Sequence, residues 1–112
     1  MRQPLVAGNW KMNGSRASIE VLLTGLKRGI GAVKVAEVAV CAPSIYLPDV
    51  QSQLQGTVIF WGGQDLSAET SGAYTGEIAA SMLLDFGCKY VIVGHSERRA
   101  YHHESDELVA RK

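Results

Sequence analysis

The stretch Tyr90-Val91-Ile92-Val93 is a continuous run of β-branched and aromatic residues, which ends at Gly94 and leads into the polar sequence His95-Ser96-Glu97-Arg98-Arg99. A run without polar alternation is typical of a strand that is covered on both faces, as the strands of parallel sheets are. Three earlier runs share this character, namely Leu5-Val6-Ala7, Val38-Ala39-Val40-Cys41-Ala42 and Val58-Ile59-Phe60-Trp61. The sequence therefore predicts four strands of a parallel sheet.

Segments of helical character lie between these strands. In the first segment, apolar residues three and four positions apart form one stripe on a helix whose predicted N-cap is Ser15. The residues of this stripe are Ile19, Leu22, Leu23, Leu26 and Ile30. Further helices are predicted over residues 44–54, over residues 78–86 and from Ser105 onward. The order βαβαβαβα indicates an α/β fold with right-handed crossovers, and both a closed barrel and an open doubly wound sheet are compatible with it.

The composition of the chain argues against nucleic acids and anionic membranes as binding partners. Eleven Lys and Arg residues balance eleven Asp and Glu residues, so bulk charge attracts neither nucleic acid nor an anionic membrane. No apolar run approaches the roughly 20 residues of a transmembrane helix, and Met1-Arg2-Gln3-Pro4 does not resemble the start of a secretory leader. We expect a cytoplasmic protein in which Cys41 and Cys88 are reduced core residues.

The fourth predicted helix has only begun when the sequence stops at Lys112. No glycine or proline marks its end, whereas helices average about 11 to 12 residues. Four βα units correspond to half of a (β/α)₈ barrel, whose usual length is about 250 residues. We therefore expect residues 1–112 to be an incomplete domain.

Polar residues follow three of the four predicted strands, where α/β folds place their working side chains. Lys11 is a cation that could hold a phosphate or polarise a carbonyl, with Asn9 two residues away. His95 opens the stretch Ser96-Glu97-Arg98-Arg99, a position where the free amides of a helix start would disfavour the imidazolium. A neutral His95 there can donate a hydrogen bond to a carbonyl oxygen. Taken singly, a solvated loop lysine and a histidine bonded to backbone are the commoner interpretations. Glu97 can pair with Lys11 or with a nearby arginine.

Other patterns point away from several kinds of site. The glycine-rich segments Gly62-Gly63 and Gly72-Ala73-Tyr74-Thr75-Gly76 match neither a P-loop nor the dinucleotide fingerprint. His102 and His103 have no third ligand at metal-site spacing. Ser96 cannot form a nucleophilic triad with the adjacent His95. The sequence thus predicts neither a nucleotide site nor a metal site.

Three segments together resemble triosephosphate isomerases in order and spacing, and the likeness covers the whole chain. They are Ala7-Gly8-Asn9-Trp10-Lys11-Met12-Asn13-Gly14, Gly72-Ala73-Tyr74-Thr75-Gly76-Glu77 and Val93-Gly94-His95-Ser96-Glu97-Arg98-Arg99. The resemblance implies the first four βα units of a TIM barrel. It also implies an intramolecular oxidoreductase of glycolysis and gluconeogenesis, which interconverts dihydroxyacetone phosphate and glyceraldehyde 3-phosphate through an enediol(ate). No metal or organic cofactor is implied.

The same resemblance implies roles for individual residues. Asn9 and Lys11 would bind substrate, His95 would be the electrophile, and Ser96 and Glu97 would support them. The loop from Gln64 to Thr75 would insert into the partner of a homodimer, with Thr75, Glu77 and Arg98 at the contact. Asp65 departs from the asparagine of most members, and its carboxylate would compete with substrate phosphate if it faced Lys11.

The family's glutamate base follows its sixth strand, and Glu69, Glu77 and Glu104 do not occur in the motif of that base. We therefore expect the chain to be inactive by itself. The alternative is a noncatalytic half-barrel that serves as a scaffold or an assembly fragment. A different barrel enzyme that acts on phosphosugars is a weaker alternative, because three matched segments argue against it.

Overall fold

The computed structural model describes residues 2–112, so the predicted domain start at Met1 lies outside the described residues. Five helices and four strands follow one another as β1 (Leu5–Asn9), α1 (Arg16–Gly29), β2 (Glu37–Cys41), α2 (Leu47–Leu54), β3 (Ile59–Gly63), α3 (Ala80–Asp85), β4 (Tyr90–Val91), α4 (Ser96–His102) and α5 (Asp106–Arg111). Two 3₁₀ turns, Ile30–Ala32 and Ser44–Tyr46, adjoin α1 and α2. None of the helices within residues 2–112 is long and apolar enough to span a bilayer.

The four strands form one parallel sheet in the order β1-β2-β3-β4, which confirms the predicted α/β arrangement. The sheet is curled. One sign of the curl is that the Tyr90 hydroxyl on β4 donates to the Glu37 carboxylate on β2, across the intervening β3. Gly62 on β3 lies opposite Tyr90, and a Cβ there would stand 2.0 Å from the Tyr90 carbonyl oxygen. Only glycine therefore permits this close approach of the two strands.

Helices α1 and α2 pack against the sheet and supply five of the eleven buried residues of the apolar core. The buried core residues are Ile19, Leu23, Val40, Ala42, Leu47, Val50, Leu54, Ile59, Leu66, Leu83 and Cys88. As predicted, the Ser15 hydroxyl caps α1 by accepting from the Ser18 amide at 3.1 Å. Both cysteines are free and buried, as expected.

Two predictions about burial were wrong. Leu22 was placed on the apolar stripe of α1, yet it is 50% exposed. At about 100° per residue, Leu22 lies on the flank of a face centred on Ile19 and Leu23. The strands were also expected to be covered on both faces, but Val6 on β1 is 59% exposed. Strand β1 is an edge strand of the described sheet, and the helices cover its neighbours better.

The carboxyl end of the chain contains one helix more than the simple alternation predicts. The helix expected from Ser105 is α5, whose Leu108 amide donates to the Ser105 hydroxyl at 3.2 Å. A separate short helix, α4, precedes it and follows β4 almost directly. Gly94, with φ +63°, lies in the turn between β4 and α4. Strand β4 covers only Tyr90 and Val91, so it is shorter than the predicted run from Tyr90 to Val93.

Candidate active site

The loops after β1, β3 and β4 meet at the carboxyl end of the sheet, where they line a cleft of ≈ 920 Å³. The cleft brings together Asn9, Lys11, Gln64, His95 and Glu97. Parallel strands end at a common edge, so polar residues that follow different strands converge there. Lys11 and His95 thus lie at the same end of the sheet, where the sequence placed the polar residues that follow its strands.

Lys11 is held in an unusual backbone conformation. Its φ of 55° lies in the left-handed region, which costs a non-glycine residue roughly 1 to 2 kcal/mol. The Lys11 amide donates to Asn9 Oδ1 at 2.9 Å, and Lys11 Nζ donates to Glu97 Oε1 at 2.6 Å. This hydrogen bond and the charge of Glu97 raise the pKa of Lys11. The same hydrogen bond lowers the pKa of Glu97, so the pair stays ionised at neutral pH.

Gln64 secures this strained loop from the end of β3. Its Nε2 lies 3.2 Å from Asn9 Oδ1, 2.9 Å from the Lys11 carbonyl and 3.1 Å from the Cys41 carbonyl. One amide group therefore fixes the backbone of Lys11 and the side chain of Asn9. Sequence reasoning placed Gln64 among the polar residues after β3 but missed this role, because a strand-end position does not reveal which acceptors a side chain reaches.

His95 is the N-cap of α4, and its geometry identifies a tautomer. The Glu97 amide donates to His95 Nδ1 at 3.0 Å, so Nδ1 acts as an acceptor and carries no proton. The 3.7 Å separation between His95 Nδ1 and Glu97 Oε2 is therefore not an ion pair. A neutral ring with an unprotonated Nδ1 carries its proton on Nε2, which is then available as a donor.

The remaining predicted residues lie in different surroundings. Ser96 begins α4, and its hydroxyl makes no hydrogen bond to another side chain or backbone atom of residues 2–112. Thr75 and Glu77 are exposed in the loop that leads toward α3. Arg98 pairs with Glu104 at 2.8 Å and with Asp65 at 3.1 Å.

Asp65 belongs to a cluster of charges beside the cleft and does not approach Lys11. Its carboxylate also binds Lys112 Nζ at 2.8 Å, and Glu104 binds the same ammonium at 2.7 Å. Asp65 is therefore paired with Arg98 and Lys112 and not with Lys11. Burial alone would raise the pKa of Glu104, but hydrogen bonds from Lys112 and Arg98 outweigh it and lower that pKa.

Within residues 2–112, no group of three or more His, Cys, Asp and Glu side chains is arranged to hold a metal ion. Asn9, Lys11, Gln64, His95 and Glu97 give this part of the cleft a cation paired with a carboxylate, a neutral imidazole and two amide side chains. Such a set can bind an anion and donate a hydrogen bond to a carbonyl oxygen.

Comparison with known proteins identifies the family. The family model described as triosephosphate isomerase matches residues 4–112. The triosephosphate isomerase of Nitrosococcus oceani is 61% identical over 112 residues, which are 100% of this chain and 45% of that protein. That of Cupriavidus taiwanensis is 58% identical with the same coverage. The crystal structure of the triosephosphate isomerase from Bartonella henselae superposes with a TM-score of 0.92 at 40% identity, over 99% of this chain and 46% of that one. This chain spans about half the length of the curated relatives it matches, and it belongs to the triosephosphate isomerase family.

Proposed function

We propose that this chain carries the substrate lysine and the electrophilic histidine of an enzyme that interconverts dihydroxyacetone phosphate and glyceraldehyde 3-phosphate. The observation that carries the proposal is the pairing of Lys11 with Glu97 at 2.6 Å beside a neutral His95, in one cleft at the carboxyl end of the sheet. Active sites of (β/α)₈ barrels lie at this end. Membership of the family supplies the reaction and the substrates.

Each side chain has a chemical task in this reaction. An ammonium has three donors, so Lys11 can keep its bond to Glu97 and still donate to anionic oxygens of the substrate. The proton on His95 Nε2 would donate to the carbonyl oxygen, on which negative charge develops as the enediolate forms. Triosephosphate isomerase is itself the familiar example of a neutral histidine in this role. Asn9, held by Gln64, would be a further substrate contact.

We also propose that residues 1–112 form the amino-terminal half of a (β/α)₈ barrel domain. The four described strands follow one another in the order β1-β2-β3-β4, as successive barrel strands do. By the resemblance described above, the glutamate base follows a sixth strand. A positioned base contributes about 10² to 10⁴ in rate, so we expect these 112 residues alone to have negligible isomerase activity.

The test uses two proteins. One is the 112-residue chain with its mass verified, and the other is the same chain joined to the part of the Nitrosococcus oceani relative that the alignment leaves uncovered, hereafter the joined chain. We expect isomerase activity in the joined chain, lost in its Lys11→Met and His95→Gln variants, and none in the short chain. Full turnover by the short chain would refute the half-barrel proposal. A folded but inactive joined chain would favour the noncatalytic scaffold.

The proposal includes a homodimer, with Thr75, Glu77 and Arg98 at the contact. Support comes from apolar residues exposed at the site end of the chain, among them Met12, which is 96% exposed, and Tyr101. Apolar surface of this kind marks an interaction site. Sedimentation of the joined chain should give twice the monomer mass, and Thr75→Arg should shift it toward monomer. A monomeric parent protein would contradict this part of the proposal.

A cytoplasmic location completes the proposal. The proposed substrates are phosphorylated trioses, whose charge keeps them inside a cell because an ion does not readily enter the hydrocarbon of a membrane. Cell fractionation of a tagged chain should find it with cytoplasmic markers, and recovery in the periplasmic or medium fraction would contradict this location.

A further inference from the structure

Two adjacent residues at the end of β3 bind opposite sides of the cleft. Gln64 holds the loop that carries Lys11, with its Nε2 at 2.9 Å from the Lys11 carbonyl. Asp65 holds α4, with its Oδ2 at 3.1 Å from Arg98 Nη2. The chain bends at Gln64, directly after β3 ends, and the two neighbouring side chains reach different sides of the cleft. The proposed function uses Gln64 to position Asn9 and Lys11 but gives Asp65 no task.

Helix α4 depends on such contacts for its placement, because none of its residues is buried. An apolar face normally seats a helix, and α4 has none. It is fixed instead by polar contacts, which are the Arg98 pairs with Asp65 and Glu104 and the Arg99 bonds to Asp106 and to the Gly94 carbonyl. The Arg98 amide donates to the His95 carbonyl at 2.9 Å, so Arg98 and His95 share one turn.

The charge on Asp65 is matched to its surroundings. Lys112 and Arg98 contribute two positive charges, and Asp65 and Glu104 contribute two negative ones. The Lys112 and Glu104 side chains are 6% and 3% exposed, whereas those of Asp65 and Arg98 are 29% and 32% exposed, so water screens the second pair more than the first. Without the Asp65 carboxylate, the poorly solvated Lys112 would keep Glu104 as its only carboxylate partner, and the cluster would have to rearrange.

We propose that Asp65 is a positioning residue, which fixes α4 and thereby sets His95 and Glu97 against Lys11. The contacts close a ring, because Gln64 binds the Lys11 loop, Asp65 binds Arg98 on α4, and Glu97 on α4 binds Lys11 Nζ at 2.6 Å. Because Gln64 and Asp65 are joined by a peptide bond, the Lys11 loop and α4 are both held to one short segment and resist motion relative to each other. The proposal rests on the proposed function, since it assigns Asp65 to the same site.

The matched control lies on α2, away from the cleft. Asp49 also pairs with an arginine, since its Oδ2 lies 3.1 Å from Arg16 Nε, and its side chain is 29% exposed like that of Asp65, but neither Asp49 nor Arg16 lines the cleft. In the joined chain, Asp65→Ala should lower kcat about tenfold. This is less than the roughly hundredfold loss that a 1 Å misplacement can cause, because α4 keeps its other polar contacts. KM should stay within about twofold, because Lys11 keeps Gln64. Asp65→Asn should fall between, and Asp49→Ala should match the parent.

A second measurement does not depend on activity. The ¹⁵N shifts of His95 in the joined chain report the unprotonated Nδ1 that accepts from the Glu97 amide. We expect Asp65→Ala to shift or broaden these signals and Asp49→Ala to leave them unchanged. If the joined chain is inactive, the proposed function fails while the His95 signals still test the positioning role. Parent-like kcat and parent-like His95 signals in Asp65→Ala would overturn the proposal, and Asp65→Asn serves the same test if Asp65→Ala does not fold.

Discussion

The two ends of the chain are held together by different kinds of interaction. Helices α1 and α2 bury five apolar side chains between them, Ile19, Leu23, Leu47, Val50 and Leu54. Helices α4 and α5 bury none and are held by ion pairs and caps. Apolar burial is strong but indifferent to direction, whereas charge-assisted hydrogen bonds are directional. The chain thus obtains its stability from one region and the geometry of its candidate site from the other.

The largest expected effect follows from emptying a position in the apolar region. Leu23 is completely buried between α1 and the sheet. Leu23→Ala should lower the free energy of unfolding of the joined chain by about 2 to 5 kcal/mol, through lost transfer energy and a cavity. Urea denaturation followed by circular dichroism measures this loss. The ¹⁵N signals of His95 in the folded protein should not move. A shift in these signals would show that the apolar region also sets the geometry of the candidate site.

A smaller loss of stability, with a clear effect on the site, is expected in the charged region. Glu104→Gln keeps the shape of the side chain but leaves Lys112 and Arg98 with only Asp65 as a carboxylate partner. The loss in unfolding free energy should be on the order of 2 kcal/mol, since Gln still accepts one hydrogen bond. In contrast to Leu23→Ala, this variant should change the His95 signals. Unchanged signals would show that α4 is seated independently of the cluster.

The same carboxylate predicts how stability depends on pH. The pKa of Glu104 is lowered in the folded chain from an ordinary value of 4.5, so the unfolded chain binds a proton more readily. Its stabilising contribution is therefore complete above pH 4.5 and is lost as the pH falls through the lower folded value. Denaturation between about pH 6 and pH 3 should show a steeper acid loss in the parent than in Glu104→Gln. Parallel curves would contradict this assignment.

Much of this arrangement could be predicted from the sequence, and the reasons for the failures are physical. Continuous β-branched runs and helical spacing predicted the parallel sheet and its helices, because the burial of apolar faces is a local pattern. The convergence of Lys11 and His95 followed from the topology alone. The partners of Gln64 and Asp65 could not be predicted, since a polar side chain at a strand end has several acceptors or donors in reach. The choice depends on where α4 and α5 pack.

The roles of the predicted site residues remain proposals, and they differ in how well the chain supports them. Lys11 and His95 have a strained backbone, an ion pair and a defined tautomer in their favour. Ser96 has only its position at the start of α4. Thr75 and Glu77 are exposed in this chain, as residues of the proposed homodimer contact would be.

The smallest effect on stability that we predict concerns the N-cap of α1. It tests whether a change at the start of an apolar-region helix leaves the candidate site unaffected. Ser15 accepts from the Ser18 amide, and Ser18 in turn accepts from the Ser15 amide at 2.9 Å, so each satisfies a free donor of the helix start. Ser15→Ala should cost about 1 kcal/mol, as loss of an N-cap does, whereas Ser15→Asp should restore most of it. Urea denaturation of the joined chain measures the loss of stability in both variants, and the His95 signals are the second measurement.

Helix α1 follows the loop that carries Lys11. If the cap of α1 also organised the site, Ser15→Ala would reduce kcat and Ser15→Asp would restore it. We expect kcat to be unchanged in both, because Gln64 and Glu97 hold Lys11 independently of where α1 begins.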